Sequence, residues 1–257
     1  METHLRSGYS LKTLTHNYSN LAGRTVLWDT MDSKEWYQKN LSDPVTRQRL
    51  EMLGFIDTPI EYTYNSHGFR TADFDQPVDI VCFGCSFTMG TGTHEKDTWP
   101  AQLSRLTGLR VANLGHAGSS NDTVFRFAQH YLPLLKPRYV AWLQTDRHRI
   151  EVLDDAIPLS MNIINTDTRN PCANDYFIKT WFSSDSNQML NQQKNTMAVQ
   201  YLCQTLDITS AVLPRDSVPR QGPYPGGTAR DLTHPGADVY KKIAQQMQHL
   251  LGLDQSA

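Results

Sequence analysis

Three polar residues that lie far apart in the sequence have the types needed to break an ester bond. Ser86 ends the apolar run VDIVCFGCS, and Asp231 precedes His234 by three residues in DLTHPG. A serine hydroxyl is a poor nucleophile unless an imidazole accepts its proton and a carboxylate orients that imidazole. The sequence therefore predicts a serine hydrolase with Ser86 as nucleophile, His234 as general base and Asp231 as its orienting acid.

An alternation of apolar strands and amphipathic helices would bring these residues together. Runs of buried-strand character are predicted at 79–86, 110–115, 138–145 and 208–214. Helices are predicted at 98–107, 121–136, near 187–206 and at 235–251, the last beginning at Pro235. This β-α-β-α-β order predicts parallel strands with right-handed crossovers, and hence an open α/β sheet.

The first 75 residues show a different sequence pattern from the rest of the chain. A short helix capped by Asp43 is predicted at 43–54, a strand at IEYTY, and a turn at 65–68. We interpret residues 1–75 as an N-terminal extension packed on the sheet. Residues 76–257 would form the main domain, with a polar insertion at 150–206.

In open parallel sheets, ligands bind beyond the carboxyl ends of the strands. Ser86 ends the first strand, the segment 115–121 follows the second, and the segment 144–147 follows the third. The loop that carries Asp231 and His234 could reach the same edge. The sequence thus predicts one site assembled from distant segments.

Other motifs are excluded on inspection. The chain contains no G-x-x-x-x-G-K-[ST] phosphate loop, no complete dinucleotide fingerprint and no G-x-S-x-G turn, since Thr88 stands at its second glycine. Cys82 and Cys85 form a C-x-x-C, but no second pair completes a zinc site. We interpret Cys82 as a core residue and expect Cys85 to be partly exposed, and we predict no metal or cofactor.

Several segments resemble the conserved blocks of the SGNH/GDSL hydrolases. FGCSFTMGTG is similar to the first block, with Cys85 at the usual aspartate; NLGHAGSSND is similar to the second; and DLTHPG is similar to the last. NSHGFR resembles the leader that precedes the nucleophile in some relatives. The resemblance spans roughly residues 60–252.

The resemblance implies a flavodoxin-like three-layer α/β/α sandwich and ester or thioester hydrolysis through an acyl-enzyme. The oxyanion would be held by the backbone N–H groups of Ser86 and Gly118. The family's third block supplies an asparagine, but this chain has LQTDRHRIE, which aligns Arg147 near that position. Arg147 or Gln144 could donate instead, Asn121 could substitute, or the hole could use backbone donors alone. Gln144 and Arg147 are also candidates for binding substrate, Arg147 through an anionic group.

The predicted substrate is a small carboxylic ester, for which the breadth of the family suggests an O-acetyl group on a carbohydrate. An aromatic-rich part of the insertion could line a substrate cleft; its members are Tyr176, Phe177, Trp181 and Phe182. Two alternatives stay open. The chain could be an acyltransferase that uses the same acyl-enzyme, or a catalytically silent module that binds a carbohydrate or another ligand.

The composition argues against two classes of binding partner. The 257 residues include 24 basic and 26 acidic side chains, a formal net charge of −2, which does not favour nucleic acid or anionic membranes. No apolar stretch approaches the ~20 residues of a membrane span, and the N-terminus lacks a secretory signal. We expect a soluble chain with a mild preference for the cytoplasm; its oligomeric state stays open.

Overall fold

The computed structural model describes residues 19–154, 160–165, 184–218 and 227–254. Its strands are β1 (Thr25–Val26), β2 (Tyr62–Thr63), β3 (Ile80–Phe83), β4 (Val111–Asn113), β5 (Tyr139–Leu143), β6 (Arg149–Asp154), β7 (Ser160–Asn165) and β8 (Thr209–Leu213). Its α-helices are α1 (Lys34–Ser42), α2 (Pro44–Met52), α3 (Ser86–Met89), α4 (Trp99–Thr107), α5 (Asn121–Leu135), α6 (Asp185–Thr205) and α7 (Ala237–Leu250).

Four parallel strands form the central sheet in the spatial order β4-β3-β5-β8. The chain runs from β3 outward to β4, then returns across β3 to β5 and continues to β8. The strand order therefore reverses beside β3, and such a reversal opens a crevice at the carboxyl ends of the strands. Ser86 follows β3 directly, so the topology places it at this crevice.

Two apolar layers cover the sheet. One contains the inward face of α4 and α7, with Trp99, Leu103 and Tyr240 fully buried against alternate residues of the strands. The other contains α5 and α6, with Phe127 and Val199 buried against the remaining alternate residues. The predicted three-layer α/β/α sandwich is confirmed.

The N-terminal region lies mainly against the loops at the carboxyl edge. Strands β1 and β2 pair antiparallel, and Ile60, Tyr62 and Tyr64 form a small apolar cluster with Met89 of α3. Helix α2 begins as predicted, since the Asp43 carboxylate accepts hydrogen bonds from the backbone N–H groups of Val45 and Thr46.

Several boundaries differ from the prediction for physical reasons. Strand β3 ends at Phe83, and Ser86 is instead the first residue of α3. Pro235 does not begin the last helix, because it forms an isolated bridge with Thr228 and the helix begins at Ala237. The hairpin of β6 and β7 and the helix α1 were not predicted.

None of the helices in the described ranges combines the length and apolar character that a bilayer crossing requires.

A tight turn joins β3 to α3. Gly84 has φ +153°, and a Cβ there would lie 2.1 Å from the Thr88 hydroxyl and 2.8 Å from the Leu143 carbonyl oxygen. Gly115 allows a second close approach, since a Cβ there would lie 2.4 Å from the Met89 backbone nitrogen. The sharp entry into α3 thus requires glycine on two loops.

We expect Gly84→Ala to destabilise the fold by about 2 kcal/mol or more, because the added methyl meets backbone as well as a side chain. Gly108→Ala is the matched control: Gly108 has φ +70° but open space around its Cβ position. The Gly108→Ala variant should lose only about 1 kcal/mol of stability, from backbone strain at the positive φ. Urea unfolding of both variants measures the difference, and equal losses would contradict the steric account.

Candidate active site

Ser86 occupies the first helical position of a buried four-residue helix. All residues of α3 are buried, and Gly90 ends the helix with φ +83°. The first backbone N–H groups of a helix have no partner within that helix, so the N–H of Ser86 is not used by α3 itself. The local structure therefore presents a hydroxyl and a backbone donor from the same residue.

The loop after β4 is fastened to this turn. The Ser119 hydroxyl and the His116 backbone N–H each donate to the Gly84 carbonyl at 3.0 Å, and the Asn113 amide donates to the Thr88 carbonyl at 2.9 Å. Gly118 lies between these anchors with φ +77°, and it is exposed. The structure thus brings the Gly118 loop to the turn that carries Ser86, as the order of the strands predicts.

Asp231 and His234 share one compact loop. One carboxylate oxygen of Asp231 accepts the backbone N–H groups of Thr233 at 3.1 Å and His234 at 3.0 Å. Leu232 adopts φ +59°, a conformation that favours glycine. The backbone N–H of Ala229 donates to the His234 carbonyl at 2.9 Å and closes the loop. The D-x-x-H spacing therefore lets a single carboxylate fix both its own loop and the imidazole.

The imidazole of His234 lies between Ser86 and Asp231. His234 Nε2 lies 2.8 Å from Ser86 Oγ, and His234 Nδ1 lies 2.5 Å from Asp231 Oδ2. An ionised carboxylate can only accept, so Nδ1 donates to Asp231, and in the neutral tautomer Nε2 is then the acceptor for the Ser86 hydroxyl. Ser86 and His234 are each 5% exposed and Asp231 is 1% exposed. Ser86, His234 and Asp231 therefore form one buried chain of hydrogen bonds, which we call the relay.

Opposing effects act on the Asp231 carboxyl. Burial by itself raises the pKa of Asp231, but the hydrogen bond and charge of His234 and the hydrogen bond from the Thr233 hydroxyl lower it. The net direction is a pKa below the ordinary value. Asp231 is therefore ionised in the folded protein at neutral pH, as an orienting acceptor must be.

Arg70 supports the segment that follows α3, a role that the sequence did not reveal. Its guanidinium is buried and donates to the Gly90 carbonyl at 2.7 Å, the Thr93 carbonyl at 2.9 Å and the Glu61 carbonyl at 2.8 Å. It also lies over the Tyr62 ring at 4.3 Å. The arginine of the NSHGFR segment thus satisfies backbone carbonyl groups of the segment that follows the Ser86 helix.

The other predicted site residues have structural partners. The Asn121 side chain accepts from the Thr145 backbone N–H at 3.0 Å, which ties α5 to the loop after β5. Arg147 pairs with Asp185 of α6 at 3.3 Å. In the described part of the chain, no hydrogen bond or ion pair joins Asn121 or Arg147 to the relay.

Gln144 and Arg147 instead line an open cleft beside α6. The cleft has a volume of about 390 Å³, and its remaining walls are Met189, Gln192, Gln193, Thr196 and Met197. The Gln144 amide donates to the Thr196 hydroxyl at 2.8 Å and accepts from Gln192 at 2.6 Å. The predicted aromatic residues 176–182 of the insertion lie outside the described residues.

A buried ion pair connects the loops after β5 and β8 to the relay. Arg215 Nε lies 3.6 Å from Asp146 Oδ1, and the Arg215 guanidinium lies 4.2 Å over the Phe87 ring. Phe87 in turn contacts the His234 ring edge to face at 5.4 Å. The imidazole is thus backed by an aromatic wall that a buried arginine supports.

Cys82 and Cys85 of the C-x-x-C both lie in the core. Cys85 is 1% exposed and belongs to the apolar layer, so the expectation of partial exposure was wrong. Cys82 is fully buried, and burial raises the pKa of its thiol well above the ordinary value. Within the described ranges, no three His, Cys, Asp or Glu side chains are grouped to hold a metal ion.

No protein-family model and no curated protein sequence matches the chain. Solved structures do match. TesA is 13% identical over 67% of this chain and 99% of its own, with a TM-score of 0.45. A family 3 carbohydrate esterase from Clostridium thermocellum is 15% identical over 68% and 95%, with a TM-score of 0.37. A lipolytic protein of the G-D-S-L family from Desulfitobacterium hafniense is 14% identical over 67% and 99%, also with 0.37. The last carries the name of the family that the sequence motifs resemble, and the likeness concerns the fold.

The lowered pKa of Asp231 predicts how Asp231→Asn responds to pH. The carboxylate contributes stability above its ordinary pKa of about 3.9, and this contribution is lost as the pH falls through the lower, folded-state pKa. The free energy of unfolding of wild type should therefore approach that of Asp231→Asn as the pH falls from about 6 to about 3. Urea titrations at several pH values measure this difference.

Ser86→Ala is the control for this comparison, because it keeps the Asp231 carboxylate and should keep the acid-side loss of stability. A difference between wild type and Asp231→Asn that stays constant over the whole range would contradict the lowered pKa.

Proposed function

We propose that this chain is a serine esterase of the kind that its SGNH/GDSL-like motifs indicate, acting through an acyl-enzyme. One observation carries the proposal: the hydroxyl of Ser86 lies 2.8 Å from an imidazole whose other nitrogen lies 2.5 Å from a buried carboxylate. A hydroxyl, an imidazole and a carboxylate in this order are the parts required for nucleophilic acyl transfer.

In the first half-reaction, Ser86 Oγ bonds to the carbonyl carbon of the ester while its proton passes to His234 Nε2. The tetrahedral intermediate then collapses, the bond from carbon to the alcohol oxygen breaks, and His234 returns the proton to the leaving alcohol. Asp231 stays ionised and stabilises the positive charge on the imidazole between these steps. In the second half-reaction, water repeats the sequence on the acyl-enzyme, and Ser86 is regenerated.

The developing oxyanion would be held by backbone donors. The N–H of Ser86 at the first position of α3 and the N–H of Gly118 on the adjoining loop are the proposed pair, supported by the anchoring of both segments at Gly84. Asn121 binds the loop after β5 and Arg147 pairs with Asp185, so the hole proposed here is one of backbone donors alone. Loss of one donor from such a hole raises the activation barrier by on the order of 3–4 kcal/mol.

The proposed substrate is an ester with a small acyl group, and an O-acetyl group on a carbohydrate is the hypothesis to test first. The cleft lined by Gln144 and Arg147 is proposed to bind part of the substrate; its volume suits a small ligand. The amide and hydroxyl groups on its walls can pair with sugar hydroxyls, and Arg147 could also pair with an anionic group.

Wild type should hydrolyse p-nitrophenyl acetate and react covalently with a fluorophosphonate, and peptide mass spectrometry should place the adduct on Ser86. We expect Ser86→Ala to lose activity by a factor of about 10⁴ or more and to lose labelling. Cys85→Ala is the control; Cys85 is buried in the apolar layer, so that variant should retain both. Activity that survives in Ser86→Ala, or an adduct on Cys85, would refute the assignment.

Removal of the cleft's polar groups should weaken binding without slowing the chemical step. We expect Gln144→Ala and Arg147→Ala to raise KM for an acetylated sugar roughly three- to tenfold while leaving kcat within about twofold. Steady-state kinetics with the sugar ester and with p-nitrophenyl acetate measure the effect. A fall in kcat with KM unchanged would place these residues in the oxyanion hole instead.

A further inference from the structure

We propose that Asp32, Trp36 and Arg230 form a clamp that holds the loop of Asp231 and His234 in its working position against Ser86. This rests on the proposed function, because it assigns positioning residues to the same relay. The clamp joins the N-terminal region to a loop near residue 230, two segments that no sequence motif links.

The first contact is a buried ion pair beside the acid. Arg230 Nε and Nη2 donate to the two carboxylate oxygens of Asp32 at 3.0 and 2.7 Å. The side chains of Arg230 and Asp32 are 3% and 1% exposed. A bidentate pair fixes the plane of the guanidinium as well as its position. Because Arg230 directly precedes Asp231, this pair fixes where the loop begins.

Further contacts complete the hydrogen bonding around the pair. Arg230 also donates to the Leu27 carbonyl at 3.0 Å, and its guanidinium lies 4.2 Å over the Trp28 ring. The Tyr62 hydroxyl donates to Asp32 at 2.6 Å and accepts the Gly92 backbone N–H at 2.8 Å. The pair is therefore bound both to the N-terminal region and to the segment that follows α3.

Gly92 brings the two sides of the site together. Its carbonyl accepts the Arg230 backbone N–H at 2.8 Å, and a Cβ at Gly92 would lie 2.9 Å from the Ala229 Cβ. The segment after the nucleophile helix and the loop before the acid thus lie in direct contact. Asp32 and Tyr62 support this contact from the outside.

The second contact of the clamp reaches the acid itself. The indole N–H of Trp36 on α1 donates to the backbone carbonyl of Asp231 at 3.0 Å, and the ring is 39% exposed. Arg230 and Trp36 therefore hold two successive residues of the loop independently. Leu232, which follows, has the unfavourable φ of +59°, so the loop adopts this shape only where its surroundings enforce it.

A loop held this way should control the rate of the chemical step more than the binding of substrate. A displacement of about 1 Å of a catalytic group can cost 100-fold in rate. None of the clamp residues lines the cleft. If the clamp only stabilised the fold, variants that remain folded would keep their kcat; if it positions the relay, they would lose kcat at constant KM.

Trp36→Phe tests the clamp with little risk to folding, because it removes one hydrogen bond from a partly exposed ring. Tyr37→Phe is the matched control on the same helix: it removes the bond from the Tyr37 hydroxyl to the Phe55 carbonyl at 2.9 Å and keeps the ring that packs against Trp28. We expect Trp36→Phe to lower kcat roughly three- to tenfold with KM unchanged. Tyr37→Phe should leave kcat unchanged.

Asp32→Asn removes the charge that pairs with Arg230 and should lower kcat by up to about 100-fold, provided that circular dichroism shows a folded chain. An independent readout is the strongly deshielded proton of the bond between His234 Nδ1 and Asp231, observed by proton NMR. We expect this resonance to broaden or shift in Trp36→Phe and Asp32→Asn and to persist in Tyr37→Phe.

The outcomes separate the two proposals. If wild type neither hydrolyses esters nor reacts with the fluorophosphonate, the proposed function fails, and the proton spectra of the variants alone decide the clamp. If wild type is active but Trp36→Phe and folded Asp32→Asn match it in kcat and in the proton spectrum, the clamp is refuted. A rise in KM at constant kcat would also refute it.

Discussion

The relay from Asp231 through His234 to Ser86 sets the constraint that the rest of the structure must meet. Three polar side chains are buried together, and each buried polar group that lacks a partner costs about 1–3 kcal/mol. Each of the three meets this requirement within the relay: the carboxylate accepts, the imidazole both donates and accepts, and the hydroxyl donates. The arrangement has two halves, the turn that carries Ser86 and the loop that carries Asp231 and His234. It is stable only if both are held at hydrogen-bonding distance from each other.

The two halves are held by different physical means. On the serine side, glycines allow backbone to approach backbone, at Gly84 against Leu143 and at Gly115 against Met89. On the acid side, the buried ion pair of Arg230 with Asp32 joins the loop to the N-terminal region, while Arg70 binds carbonyl groups of the segment after α3 on the serine side. Close backbone approach and hydrogen bonds fix the first half, and a buried ion pair with its hydrogen bonds fixes the second.

The sequence predicted the features that depend on local patterns. The strands of the sheet are short apolar runs, the helices α4, α5 and α7 carry apolar stripes, and D-x-x-H is a compact turn that can be identified directly. Helix α6 was located within two residues of its observed start, although its buried face includes Asn191 and Asn195, which bind Asp122 of α5.

Other features depend on pairings that a local pattern cannot show. Helix α1 has no apolar stripe, and its importance comes from Trp36, whose partner is 195 residues away. Asp32 and Arg230 are 198 residues apart, so neither signals the other. Pro235 has the residue type that favours a helix start, but the bridge of Thr228 with Pro235 outweighs that preference. Arg147 pairs with Asp185 across a segment of 38 residues instead of with a near neighbour.

The separation of Asp32 from Arg230 also has a consequence for the order of events during synthesis. Contacts between residues so distant along a chain form late, because a long loop must close before they contribute to stability. The strands that carry Ser86 and the Gly118 loop can pair while translation continues, but the imidazole arrives only after residues 227–236 have left the ribosome. A nascent chain should therefore carry its serine turn without the imidazole until the segment around residue 234 has been made.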